Sequence, residues 1–256
     1  MPAGALMHPN RKFHIADRAE MAALVREAGF GTLVVQTGAG LRAVHVPVVL
    51  DGERLLFHVS RGNLVHAALL GGCEALFIAN GPHAYISPDW YGLENRVPTW
   101  SYVAVELNGR CSPLDAAVLV RLLDDMSAEH EARLAPKAPW VRGGLSPGFF
   151  EGLLKGITGF AMEIAQWRGT KKIDQDKPAD VRARLADALA EQGEAEMAHL
   201  VSSPSQDGEG GHAKHGGGVE GAGVRVLAPD TQDLSQLPLH QPSAGPPPHA
   251  LHGEDL

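Results

Sequence analysis

The chain has 256 residues, enough for one large domain or a medium domain with appendages, and 44% hydrophobic residues supply a packed core. Its 22 Lys and Arg stand against 30 Asp and Glu, a net charge of −8 that argues against a polyanion-binding surface over the whole protein. A local basic site remains compatible with that balance.

Met1 to Leu6 carries no basic stretch followed by an apolar one, and no apolar run approaches the roughly 20 residues of a membrane helix. Two cysteines, Cys73 and Cys111, cannot build a disulfide framework. The expectation is a cytoplasmic protein without a membrane segment. Asp17-x-x-Glu20, the stripe Met21, Leu24 and Val25, and Gly29 predict a short capped helix. Three strands follow, Phe30 to Thr37, Leu41 to Leu50 and Leu55 to Ser60, with Gly38-Ala39-Gly40 and Asp51-Gly52 as turns. Pro47 predicts an edge or a bulge within the second. Residues 63–71 read as a short helix, then Glu74 to Asn80 and His83 to Ile86 as two strands, a loop over Ser87 to Val97, and a strand over Thr99 to Asn108. A helix is predicted from Pro113 to Leu134, a short one near Pro147 to Leu154, a strand near Gly159 to Trp167 and a helix near Pro178 to Ala190. Hairpins first and helices between later strands point to α+β with an antiparallel barrel or strongly curled sheet. The phosphate-loop and dinucleotide glycine patterns are both missing, which disfavours a doubly wound nucleotide fold.

Residues 203–256 differ in kind. They contain no Phe, Trp or Tyr, ten of the 30 glycines, seven of the 18 prolines and five of the 13 histidines. So few large apolar groups cannot offset the entropy of ordering, and the segment reads as a disordered tail after a domain spanning 1–202. Its seven acids and two bases account for −5 of the net charge, leaving the body at −3. His212 and His215 could hold a metal loosely, but a solvated tail with incidental histidines is the favoured reading.

Two constellations carry chemistry. Ser60-Arg61-Gly62-Asn63 passes from a strand end into a helix start, where hydroxyl, guanidinium and helix N–H groups together suit a phosphate. An ordinary N-cap beside an exposed Arg is the plainer alternative. Five of the seven Trp and Tyr residues fall within 85–102: Tyr85, Trp90, Tyr91, Trp100 and Tyr102. Such a cluster near Gly and Pro turns suits a flat ligand or a subunit interface, or an aromatic core under a long loop. His83 has no carboxylate partner in sequence for acid–base work.

Gly81-Pro82-His83-Ala84-Tyr85-Ile86-Ser87-Pro88, Trp90-Tyr91 and Val97-Pro98-Thr99-Trp100-Ser101-Tyr102 resemble the signature of the PaiB family, described as FMN-binding negative transcriptional regulators of bacteria. Phe30 to Val34, His45-Val46-Pro47, His58 to Asn63 and Gly156 to Phe160 support the resemblance, which covers about residues 7–195. It implies a split β-barrel of the pyridoxamine-oxidase type with peripheral helices, and FMN held at a homodimer interface. Carried onto this chain, Ser60, Arg61 and Asn63 are candidates for the phosphate. Trp100 and Tyr102 are candidates for the isoalloxazine surroundings or the dimer contact. The family's Lys-Leu-Ser-Gln-Asn run is here Lys172-Ile173-Asp174-Gln175-Asp176. Lys172 and Gln175 keep the family's residues as candidates, whereas Asp174 and Asp176 would repel a phosphate that the run faced, with Lys171, Lys172 and Lys177 as local offset.

The resemblance thus implies a homodimeric FMN-binding regulator with the flavin as ligand or redox cofactor. An FMN-dependent oxidoreductase is the rival, and a haem-handling barrel protein using His45, His58 or His83 a third reading. The sequence offers no helix-turn-helix, and Lys177, Arg182 and Arg184 are accompanied by Asp180, Asp187 and Glu191. That leaves at most an indirect or weak association with DNA.

Overall fold

The strands close into a ring. The computed structural model describes residues 8–203, and its regular elements follow in chain order. They are β1 (His14–Ile15), α1 (Arg18–Ala28), β2 (Phe30–Thr37), β3 (Gly40–Asp51), β4 (Arg54–Ser60), α2 (His66–Leu70) and β5 (Cys73–Ile86). Then come β6 (Thr99–Pro113), α3 (Ala116–Ala132), α4 (Phe149–Leu154), β7 (Ile157–Lys172), α5 (Ala179–Glu191) and α6 (Ala195–Ser202). The sheet order is β1-β7-β4-β3-β2-β5-β6, and β7 pairs with β6 as well. Six antiparallel strands, β2 to β7, therefore form a closed barrel, with β1 added beside the far half of β7. Closure leaves none of those six strands as a free edge along its whole length.

Alternation along the strands aims Leu33, Val35, Phe57, Phe77, Leu107, Phe160 and Met162 into the core. Burying each such side chain contributes about 1.5–3 kcal/mol before entropy is counted. α1 adds Met21 and Val25 to that core. Asp17 caps it, its carboxylate accepting from the Ala19 N–H at 2.8 Å, and Gly29 ends it at φ +56°. The other half of the expected capping box is not formed: Glu20 pairs with Lys171 on β7 at 2.8 Å. α3 lies on the outer face of β4 and β7, packing Leu122 and Met126 on Leu56 and Ala161.

Two sequence expectations change. Glu74–Asn80 and His83–Ile86 are one strand, because a register shift against β6 between Asn80 and His83 absorbs Gly81-Pro82. Pro47 lies in the stretch of β3 that has a strand partner on one side only, the local edge its sequence predicts, and no bulge forms there. It pairs with Phe30 in an unbroken ladder, and since the next N–H, that of Val48, points to Gly29 O on the β2 side, the Pro47 nitrogen faces β4. The β3–β4 ladder begins only at Val48–Phe57, so no pairing there needs the missing donor. β6 and β7 also run longer than their apolar patterns, sharing a second irregularity at Asn108/Gly109. There the backbone of β7 comes so close that a methyl group on Gly109 would overlap the Glu163 carbonyl. α6 has no counterpart among the predicted elements. The disordered-tail reading lies outside the described residues, apart from Ser203.

Candidate functional site

The chain leaves β4 at Ser60 and turns back tightly. Arg61 N–H donates to Gly156 O at 2.9 Å, and Asn63 N–H to Ser60 O at 3.0 Å. The Arg61 side chain follows β7, its Nε donating to Ile157 O at 3.2 Å. Its terminal nitrogens carry no ion pair among the described residues. Ser60 Oγ accepts from the Gly62 N–H at 3.3 Å and keeps its own proton to donate. Asn63 Oδ1 accepts from the Val65 N–H at 3.1 Å, leaving its amide NH2 outward-capable. The expected helix-terminus donors are not part of this turn, because α2 begins only at His66 and has five residues. His66 Nε2 and Thr158 Oγ1 lie 2.9 Å apart next to this turn, Thr158 on the Val59 side of the ladder and not on the Ser60 side. Neither was picked out from the sequence, since their neighbourhood exists only through the β4–β7 register. A hydroxyl, a guanidinium and an amide on one tight turn, with no carboxylate paired to the guanidinium among the described residues, suit a phosphate dianion.

The aromatic candidates gather elsewhere. Trp100 is 54% exposed and Tyr85 48%, their rings edge-to-face at 6.3 Å, with the exposed His83 ring 5.8 Å from Trp100. Tyr102 is half-buried, paired across the ladders with His83 on β5 and Lys172 on β7. Tyr91 is buried and Trp90 packs on the core, so the aromatic cluster is part core and part surface. Lys172 Nζ donates to Thr99 Oγ1 at 2.6 Å and to Trp100 O, and burial pushes its ammonium pKa down. Gln175 spends its whole amide on backbone: Nε2 donates to Lys12 O and Lys171 O, and Oε1 accepts from Ile173 N–H.

The two aspartates do not form a free acidic surface. Asp174 is buried at φ +57° and accepts from Tyr91 Oη and Ser101 Oγ, each at 2.8 Å. Burial first, and the Asp174 carboxylate second, push the Tyr91 hydroxyl pKa up. Asp176 pairs with Lys177 at 2.9 Å. This cluster sits at the opposite end of β7 from the Ser60 turn. Ser60 pairs with Ile157 and Tyr102 with Lys172, so the 16 residues of β7, about 50 Å of contour, separate them.

Bases on and around α5 are consumed internally. Arg184 pairs with Asp180 and donates to Tyr91 O, and Arg182 donates to Ser203 O. A feature without a sequence signal is an apolar cleft of about 360 Å³ between α3 and α4, lined by Leu123, Trp140, Phe149, Phe150, Leu153 and Ile157. Ile157 joins it to the Ser60 turn, because its carbonyl is the one Arg61 Nε reaches. No described helix is long and apolar enough to cross a membrane.

Residues 7–166 match a protein-family model described as "Putative FMN-binding domain". Over 175 residues the chain is 31% identical to "Protease synthase and sporulation protein PAI 2" of Bacillus subtilis (strain 168), covering 67% of this chain and 83% of that protein. The chain belongs to the PaiB family of FMN-binding proteins. FMN is the cofactor of that family, and the closed antiparallel barrel with peripheral helices is the split β-barrel expected for it. Among solved structures, the chain is similar to the FAD and heme binding protein from Mycobacterium smegmatis, at 16% identity and a TM-score of 0.46 over 62% of this chain and 73% of that one. It is also similar to the flavocytochrome Anf3 from Azotobacter vinelandii, at 14% identity and a TM-score of 0.47 over 64% and 72%.

Proposed function

We propose that this PaiB-family chain, folded over about residues 1–202, is a cytoplasmic, homodimeric FMN-binding regulator whose phosphate site is the Ser60–Asn63 turn. The observation that carries the reading is Arg61. Its backbone is anchored by Gly156 and its Nε by Ile157, while its terminal nitrogens have no carboxylate among the described residues. A pinned guanidinium of this kind is pre-organised for a phosphate. When bound, FMN supplies two-electron redox chemistry. The chain's own residues bind and orient it: Ser60, Arg61 and Asn63 hold the phosphate, with His66 and Thr158 behind them.

Trp100 and Tyr102 face the flavin ring from the second copy in this reading, since they stand at the end of β7 opposite the Ser60 turn. A row on the outer face supports that pairing: Val34 lies between Ala43 and Leu76 in the ladders, flanked by the Ile78, Thr32 and His45 row on one side and by Gln36 and Leu41 on the other. An outward sheet face is ordinarily polar, and this apolar row suits burial against its own copy. Lys172 and Gln175 enter the site as supports, since their donors already hold the strand end that carries Trp100. The committed bases around α5 favour control of transcription through a partner, with DNA contact indirect or weak.

FMN titration followed by visible absorbance tests the reading. Arg61→Ala weakens FMN about 10- to 100-fold and leaves riboflavin affinity unchanged, as loss of a charge-assisted phosphate contact demands. Equal losses for both ligands, or no FMN binding by the folded wild type at micromolar concentration, overturn it. A second reading, an FMN-dependent oxidoreductase, is favoured by the apolar cleft adjoining the same turn through Ile157. Steady turnover of a reduced nicotinamide with FMN present selects it over the regulator.

A further inference from the structure

The chain's two cysteines lie directly opposite each other. Cys73 opens β5, Cys111 lies near the end of β6, and the antiparallel register pairs them as Cα partners. Directly opposed residues in such a ladder project to the same face, with Cα atoms about 4.5 Å or 5.5 Å apart depending on the hydrogen-bonding position. Both distances fall within the roughly 4.4–6.8 Å that a disulfide spans. Both residues belong with the barrel core, Cys111 fully buried and Cys73 half-buried. They are free thiols here. We propose that Cys73 and Cys111 form a redox-active dithiol that closes to a cross-strand disulfide on reaction with small disulfides of the glutathione class.

The steps balance. The Cys73 sulfur, as the half-exposed member, attacks the small disulfide, forming a mixed disulfide and releasing one thiol. The Cys111 sulfur then attacks Cys73, closing the intramolecular bond and releasing the second thiol. The protein pair loses two electrons and two protons, and the small disulfide gains both. Burial pushes both thiols up, Cys111 to about 12, whereas the Arg110 guanidinium opposes that rise at Cys73. Entry through Cys73 follows from this difference as well as from exposure. The bond would tie the beginning of β5, immediately after α2 and the Ser60 turn, to the end of β6.

The test uses the full-length reduced chain, incubated with excess glutathione disulfide and mapped by non-reducing peptide mass spectrometry. The expected product is a Cys73–Cys111 linked peptide, about 2 Da lighter than its reduced parts, with no free thiol left in the denatured chain. Tm rises by roughly 5–10 °C on oxidation, because the bond constrains a loop of nearly 40 residues in the unfolded chain. Cys111→Ala instead accumulates the mixed disulfide on Cys73. Wild type that stops at glutathione adducts, keeps both thiols, links two chains, or melts at a lower temperature when oxidised overturns the proposal.

Discussion

The two ends of β7 hold comparable inventories of polar groups and use them in opposite ways. At Ile157, Arg61 and Ser60 are tied down through the backbone and through one atom each, and their remaining donors stay open. At Lys172, the ammonium, the Gln175 amide, Ser101, Tyr91 and Asp174 are engaged with one another or with backbone. The first arrangement leaves chemistry available for a ligand. The second builds a rigid seat on which exposed aromatics stand. Residue type alone did not separate them, since Ser-Arg-x-Asn and Lys-x-Asp-Gln are equally polar on paper.

The largest effect that probes this contrast is at Asp174. Removing its carboxylate leaves two buried hydroxyls without an acceptor, so Asp174→Ala lowers unfolding free energy by about 3 kcal/mol in urea titrations. Asp174→Asn keeps an acceptor and loses roughly half as much. A loss under about 1 kcal/mol for Asp174→Ala would show that this end is not the committed one. Next comes Arg61→Ala, which costs about 2 kcal/mol of FMN binding but changes stability by less than about 0.5 kcal/mol, as expected for an exposed residue. A large stability loss instead would place Arg61 with the structural group. Lys172→Met removes donors to Thr99 and Trp100 and lowers stability by about 1 kcal/mol, with only a secondary effect on FMN.

Much of this fold was legible because it is local. Asp17 and Gly29 bracket α1, Asp51-Gly52 turns the β3–β4 hairpin, and of Leu119, Leu122, Leu123 and Met126, which helical spacing puts on one face of α3, all but the half-buried Leu123 are buried. What was not legible depends on ladders. Gly81-Pro82 reads as a break until β6 is placed beside it, and Glu20 reads as a capping residue until Lys171 arrives from β7. The site divides in the same manner. The Ser60 turn follows from its own residues, whereas His66 beside Thr158, and the sequestering of Asp174, require strands far apart in sequence.

The smallest effect concerns His58, which shares β4 with the open turn and resembles neither end. Its Nδ1 is buried without a partner, and burial lowers its pKa below the ordinary 6.5. The unfolded chain therefore binds a proton more readily than the folded one in the window from about 6.5 downward. Stability contributed by a neutral His58 is complete above that value and declines as pH falls through it. His58→Gln, which cannot titrate, flattens the stability profile between about pH 6.5 and 5, measured by urea unfolding, relative to wild type. An unchanged slope would mean that the imidazole is solvated in solution, and β4 would then be open along its outer face up to Ser60 rather than only at its end.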